Sequence, residues 1–543
     1  MSRFLLAFLL LLSSFVRAQE RSETKQQHIN KPKLVVGIIV DQMRYDFLFR
    51  YRDKYSSTGF RRMMEEGFLC SNVHYNYIPT YTGPGHASVY TGTTPSIHGI
   101  VSNEWFEHSA GKTIYCVSDS TVTGVGGKSK MSPRNILTTT ITDELRISSK
   151  MKSKVLGIAL KDRGAILPAG HSANAAYWID TTGNWITSSY YMQSLPQWVT
   201  DFNKRNLQNE YLSQPWKTLL PIETYTESTT DDTPYEEPFH TELKPVFPHN
   251  LPAIRTADAD LLKRTPFGNT MTKEFALAAI RGEDLGHRDS TDFLCISFSS
   301  TDYVGHQFGI DAIETEDTYL RLDRDLSELL SFLDKWVGKD NLLVFLTSDH
   351  GAANNAAYLS AQNIPAGVID GEKIKKQLDA LLDTLYGKGK YISEMSSHSV
   401  TLNQKELTAK NLNRKSVEEM IKKFLLSAPG IADAVTAAEL LSEPDNKTQR
   451  AMLRAGMNLS RAADIYFILN HQWMDYNITG TTHGSGYDYD THVPLLFRGG
   501  KIPSGSSEQY HDITDIAPTI CTYLNISMPS GCTGKVIEEI FKK

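Results

Sequence analysis

The chain has 543 residues, 40% hydrophobic and 22% charged, a composition of an ordinary globular protein long enough for a large α/β domain carrying insertions. A formal net charge of −6 and a pI near 6.3 exclude the broadly basic face of a nucleic-acid binder, though not a local positive pocket.

Residues 1–18 read as a signal peptide. Arg3 gives the positive start, 4–12 a continuous apolar run, and Val16-Arg17-Ala18 a small-residue cleavage site. The run is short for a membrane span of about 20 residues. The expectation is therefore an exported protein, periplasmic or secreted, with one catalytic domain over 19–543 and no transmembrane segment after signal removal. Export permits disulfides. Five cysteines leave at least one thiol free in a monomer. Cys521 and Cys532, around a Met-Pro-Ser-Gly turn, are the best candidate pair, and Cys70 with Cys116 a weaker one. Cys295 lies in an apolar run and suits a buried free thiol.

Leu34–Val40 is an apolar run ending in Asp41, and Phe60–Glu66 has helical spacing after it. Residues 80–90 make a turn into a second helix. Residues 155–160 form an apolar run leading into Lys161-Asp162-Arg163. A first insertion covers about 164–270, within which 223–250 is rich in Thr, Pro, Tyr and acids and reads as a surface excursion. The run 293–298 passes through Ser-Ser-Thr to Asp302, with His306 four residues on. Residues 318–336 have helical spacing, and the run 342–346 leads to Asp349-His350. A second insertion follows at about 360–480, with helices expected at 372–386 and 417–426. The core resumes at Thr482-His483-Gly484-Ser485-Gly486, then a strand at 493–497 and a helix at 513–524.

Apolar runs of this kind suit strands buried on both faces of a mostly parallel sheet flanked by helices. Ligands of such α/β sheets collect at the carboxyl ends of the strands. Asp41, Asp302, Asp349, His306, His350 and His483 would then meet in one crevice. Three carboxylates and three imidazoles exceed one tetrahedral ion and suit two ions about 4 Å apart. Zinc is the first choice for that donor set, with manganese, cobalt or iron not excluded by spacing. His74, His98, His171 and His492 have no comparable setting and read as structural.

In Thr80-Tyr81-Thr82-Gly83-Pro84-Gly85-His86, the glycines allow close backbone approach and Pro84 fits the first position of a helix. Thr82 would lie at the positive helix end, where free N–H groups favour an anion. Taken alone, Thr82 reads more simply as an N-cap, and Lys161-Asp162-Arg163 as a solvated turn.

The set VVGIIVDQMR, TYTGPGHASVYTG, IHGIVSNEW, LKDRGAI, SSTDYVGHQFG, LTSDHGA and THGSGYDYDTHVPLLF resembles the alkaline phosphatase superfamily, and within it the bacterial phosphate-irrepressible alkaline phosphatases. The resemblance implies two zinc ions, one held by Asp302, His306 and His483, the other by Asp41, Asp349, His350 and the exchangeable Thr82. It implies Thr82 as nucleophile through a phosphothreonine, and Asn103, Lys161 and Arg163 as contacts to the phosphoryl oxygens of small-molecule phosphate monoesters. The Lys–Arg pair separates such monoesterases from diesterase relatives. A phosphodiesterase or nucleotide pyrophosphatase on the same metal core is the alternative, and a catalytically silent zinc-binding protein a more remote one. The sulfatase pattern is missing, because Thr82-Gly83-Pro84-Gly85-His86 has no convertible Cys or Ser and no Arg. A third, magnesium-type site has no counterpart. Asn446, Asn458, Asn477 and Asn525 match glycosylation tripeptides.

Overall fold

The computed structural model describes residues 31–444 and 448–542; the expected signal peptide and Asn446 lie outside them. The central sheet has ten strands: β1 (Leu34–Val40), β2 (Phe68–His74), β3 (Gly124–Val125), β4 (Val155–Ala159), β5 (Ala175–Ile179), β6 (Trp185–Ser188), β7 (Asp292–Phe298), β8 (Leu342–Thr347), β9 (His492–Gly499) and β10 (Gly505–Asp512). Their order is β10-β2-β9-β8-β1-β7-β4-β5-β6-β3. The five inner strands from β8 to β5 run parallel, while β9 and β6 turn antiparallel to them. The described residues from Pro32 onward form one compact unit.

Every residue of β1 is buried, and its side chains alternate between two cores. Leu34, Val36, Ile38 and Val40 join one cluster, Val35 and Ile39 the other. That is why an apolar run rather than an alternating one marks this strand. Six helices position the site or cover its scaffold: α1 (Thr82–Thr91), α2 (Asp162–Ala169), α3 (Phe267–Glu283), α4 (Ser300–Phe308), α5 (Ile313–Trp336) and α6 (Ile516–Leu524). Helix α1 lies close on the sheet because β1 has no side chain at Gly37. A Cβ there would stand 2.5 Å from the Phe345 ring and collide with the Tyr90 hydroxyl of α1.

Several expectations are corrected. Helix α5 starts five residues before the predicted 318, because its first turns bury polar groups with distant partners: Glu314 bonds His249 at 3.0 Å, and Glu316 pairs with Lys54. The 223–250 segment is not merely a surface excursion, since Tyr225 and Phe239 are buried in the main core. Helix 513–524 opens as a 3-10 turn at Ile513–Asp515 before α6. All five cysteines are free thiols, so neither expected disulfide forms. Cys521 is buried on α6, whereas Cys532 lies in a turn tied to Gly92: the N–H groups of Thr533 and Gly534 donate to Gly92 O at 2.9 and 3.0 Å. The Cys532 sulfur packs at Gly92 instead. Cys70 and Cys116 sit in different cores.

The span 360–480 contains a separate four-stranded sheet in the order Ile392–Met395, Ser399–Leu402, Ile465–Leu469, Ile431–Thr436, with helices Gly371–Tyr386 and Arg414–Ser427 packed on it.

Candidate active site

Four neighbouring parallel strands deliver the site. β1 leads into Asp41, β4 into Lys161, β7 into α4 with Asp302 and His306, and β8 into Asp349 and His350. The register extends past the strand ends, because Asp41 N donates to Phe298 O at 3.0 Å. His483 enters from the loop before β9. The crevice at these strand ends is the expected one.

Among the described residues, two groups have donor atoms close enough to hold a metal ion: Asp302, His306 and His483, and Asp41, Asp302 and His350. The first is the expected ligand set. In the second, Asp302 stands where Asp349 was expected, although Asp349 Oδ2 lies 3.5 Å from His350 Nε2. Asp302 thus lies between both sets. The three imidazoles are aimed alike. His306 Nδ1 pairs with Thr481 O at 2.8 Å, His483 Nδ1 with Thr80 O at 2.8 Å, and His350 Nδ1 with Gly351 O at 2.9 Å. A proton on Nδ1 satisfies each carbonyl and leaves the Nε2 lone pair for a metal.

The site carries unpaired donor atoms and surplus negative charge. Asp41 Oδ1 and His350 Nε2 are buried without a hydrogen-bond partner, while Asp41 Oδ2 faces the Lys161 ammonium and Asp349 Oδ2 stands 3.3 Å from His86 Nδ1; carboxylates so buried are costly unless cations take them. Burial, then the Asp349 charge, raises the Asp41 carboxyl well above the usual range. Burial pushes Asp349 up to about 7, against the pull of Lys161. Burial acts the same way on Asp302, yet His306 and Lys161 hold its carboxyl well below the usual range. The buried Lys161 ammonium compensates two of them, 2.7 Å from Asp41 Oδ2 and 2.5 Å from Asp302 Oδ2. These residues fit divalent metal ions.

Thr82 is the first helical residue of α1, buried, with its Oγ1 3.4 Å from Lys161 Nζ. It is not an N-cap; that position is Tyr81, and no side chain caps the helix. Pro84 is the third residue of the helix rather than the first. Free N–H groups are also scarcer than expected. Gly83 N donates to Asn103 Oδ1 at 2.8 Å, Gly85 N to Tyr81 O at 2.8 Å, and Pro84 has none. Asn103 is thereby fixed by its carbonyl end, with its amide NH2 as the remaining donor. Arg163, in the first turn of α2, places Nη1 3.1 Å from Tyr115 Oη and keeps a buried Nε without a partner.

The sequence reading missed three supporting residues. Gln42, at φ 65°, donates its N–H to Asp349 Oδ1 at 3.1 Å and its Nε2 to Asp302 Oδ1 at 2.9 Å. His86 bridges Thr82 O at 2.9 Å and Asp349 Oδ2 at 3.3 Å, and burial pushes its imidazole down to about 4. Asp490 Oδ2 accepts from Gly484 N, Ser485 N and Ser485 Oγ at 3.1, 2.8 and 2.6 Å, which shapes the His483 loop. His86 and Asp490 lie inside the quoted motifs; the positive φ of Gln42 has no sequence signal. His74, His98, His171 and His492 all bond elsewhere, His98 for example to Ser88 at 2.9 Å.

Gly85 lets α1 pass directly over Asp349, where a Cβ would stand 2.8 Å from Asp349 Cβ and collide with its carbonyl oxygen. Gly85→Ala should cost about 1–3 kcal/mol of stability and lower metal content, measured as Tm and metal per chain. Unchanged Tm and full metal content would contradict this packing.

The family model of type I phosphodiesterase / nucleotide pyrophosphatase matches residues 35–491. The chain is 43% identical over 538 residues to the alkaline phosphatase PafA of Elizabethkingia meningoseptica, covering 98% of this chain and 97% of that protein. It is 44% identical over 526 residues to a Myroides odoratus protein named a calcium-transporting ATPase, covering 95% and 96%. The crystal structure of wild-type PafA superposes with a TM-score of 0.92 at 43% identity, over 95% of this chain and 100% of that one. A PafA variant replaced at one threonine, one asparagine, one lysine and one arginine matches equally well, at TM-score 0.92 and 42% identity, again over 95% and 100%.

Proposed function

This chain belongs to the type I phosphodiesterase / nucleotide pyrophosphatase family of the alkaline phosphatase superfamily, and we propose that it is a phosphate-monoester hydrolase that works through Thr82. The observation that carries the reading is the convergence of Lys161 on the Thr82 hydroxyl, with Arg163 in the first turn of the helix that Lys161 leads into. A monoester dianion has three nonbridging oxygens to satisfy. An ammonium, a guanidinium and the Asn103 amide match it in charge and number better than they match a diester monoanion. The replacement of a threonine, an asparagine, a lysine and an arginine in the PafA variant supports these four as the working set.

Asp302, His306 and His483 would hold one divalent ion, and Asp41, Asp349 and His350 the other. Zinc ions there would supply Lewis-acid charge to the Thr82 oxygen on one side and to the departing oxygen on the other. The chain's own residues do the rest. Thr82 Oγ forms a bond to phosphorus as the ester P–O bond breaks, and the alcohol leaves with a proton. With Asp41 and Asp302 holding metal, Lys161 would be free to meet the phosphoryl oxygens beside Thr82. Asn103 and Arg163 orient the same group. Water then cleaves the phosphothreonine and restores the hydroxyl. Two in-line displacements give net retention at phosphorus.

The name of the Myroides relative raises ATP hydrolysis. The terminal phosphoryl of ATP also presents three nonbridging oxygens, so its hydrolysis falls within the same chemistry. No helix among the described residues is long and apolar enough to cross a membrane. Export to the periplasm or exterior is proposed from the Arg3, 4–12 and Val16-Arg17-Ala18 pattern.

Metal removal tests the reading. Chelated protein should lose phosphate release from phenyl phosphate and unfold at lower temperature, because Asp41, Asp302 and Asp349 are then left as buried carboxylates with Lys161 bridging Asp41 and Asp302. About two equivalents of zinc should restore both. Full activity after chelation, or restoration by a single equivalent, would overturn the two-ion proposal.

A further inference from the structure

A cavity of about 510 Å³ opens beside the Asp302–His306–His483 group, with His306 in its wall. Tyr303, one turn before His306 on α4, lines it as well, and the Lys161 ammonium lies 5.1 Å from the centre of that ring. Cavity and phosphoryl site therefore share a wall. Four stretches far apart in sequence build it: Glu237 and His240, then Arg264, then α4, then Tyr476 and Asn477. They are laced together. Glu237 N donates to Gln307 O at 2.9 Å, Thr479 Oγ1 to Glu237 Oε2 at 2.7 Å, and Tyr476 Oη to His306 O at 3.2 Å. Such ties preform the space before any substrate arrives.

Its position defines its use. In-line displacement puts the departing oxygen opposite the nucleophile. Thr82 sits on the Asp349 side, where His86 joins Thr82 O to Asp349 Oδ2. Lys161 separates it from Asp302, and the cavity lies against His306 on that far side. We propose that this cavity is a leaving-group subsite for ring-bearing alcohols, nucleosides or aryl alcohols, a reading that rests on the monoesterase function above.

The chemistry of the walls supports that class. The volume falls within the range of small-molecule sites, about 300–1,000 Å³, and exceeds what a three-carbon alcohol fills. The Tyr476 ring is held 5.6 Å from the His306 ring, so one aromatic wall is fixed next to the reacting oxygen. Stacking a ring on such a wall adds attraction that an aliphatic alcohol does not gain. Around it the Asn477 amide, the Glu237 carboxylate, His240 and the Arg264 guanidinium offer both donors and acceptors. That mixture suits the rim of a heterocycle and its sugar hydroxyls.

The test uses the metal-loaded enzyme with adenosine 5′-monophosphate, phenyl phosphate and glycerol 1-phosphate, for wild type, Tyr476→Leu, Tyr476→Phe and Asn477→Ala. Calorimetry with adenosine runs in parallel. Tyr476→Leu should cut the kcat/KM ratio of adenosine monophosphate to glycerol phosphate about tenfold, mainly through KM, and weaken adenosine binding to match. Tyr476→Phe should restore both, which separates ring stacking from a disturbed His306. A loss in Asn477→Ala confined to adenosine monophosphate identifies a nucleoside subsite; a loss shared with phenyl phosphate identifies an aryl one. An unchanged ratio in Tyr476→Leu together with no adenosine binding to wild type overturns the subsite. No phosphate release from any ester overturns the monoesterase reading instead, and adenosine binding then still decides the cavity.

Discussion

Thr82→Ala should abolish turnover, lowering kcat/KM on phenyl phosphate by about 10⁴-fold or more, while the protein stays folded and keeps its metal. The asymmetry follows from where the residue sits. Thr82 is buried at the first position of α1, and its hydroxyl faces Lys161 rather than capping the helix. The helix is placed by Gly37, Gly85 and the His86 bridge, none of which the substitution touches. Alanine is also the better helix former, so Tm should move little. Thr82→Ser keeps an oxygen there and should retain measurable activity. Acid quenching of wild type during turnover with labelled ester should trap phosphate on Thr82, and the alanine variant should trap none. A Thr82→Ala enzyme that still released phosphate at the wild-type rate would end the covalent mechanism.

What the sequence disclosed, and what it hid, follows from how far away each residue's partners lie. The strand ends were legible because β1, β7 and β8 are buried on both faces and so appear as unbroken apolar runs, each followed by a carboxylate. His306 was legible because it lies one helical turn from Asp302. By contrast, the early start of α5 rests on Glu314 and Glu316, whose partners His249 and Lys54 are remote in the chain; local periodicity counts such residues as solvent-facing. Gln42 owes its role to a backbone turn at φ 65°, and composition carries no trace of it. The Cys521–Cys532 expectation used sequence nearness alone, whereas the tether to Gly92 decides where Cys532 points. The closeness of Asp302 to Asp41 and His350 as well as to its own set is likewise a matter of side-chain reach, which spacing does not encode.

The Lys161→Ala, Arg163→Ala double variant should separate monoester from diester chemistry. Each cation is expected to stabilise the monoester transition state by about 2–4 kcal/mol, so their joint removal should cost phenyl phosphate hydrolysis at least about 10³-fold. Methyl phenyl phosphate, which places a methoxy group where the third nonbridging oxygen would be, should lose less than about tenfold. The same variant makes an opposite prediction for stability. Lys161 lies between Asp41 and Asp302, so without metal its removal leaves buried carboxylates uncompensated, a strongly destabilising change. With the ions bound, those carboxylates have partners and the penalty should largely vanish. The single Lys161→Ala protein should therefore lose Tm as the metal-free form and regain most of it on zinc addition, while its monoesterase activity stays low. Equal losses on both esters would remove the case for a monoesterase, and a metal-independent drop in Tm would show that Lys161 serves the fold rather than the phosphoryl group.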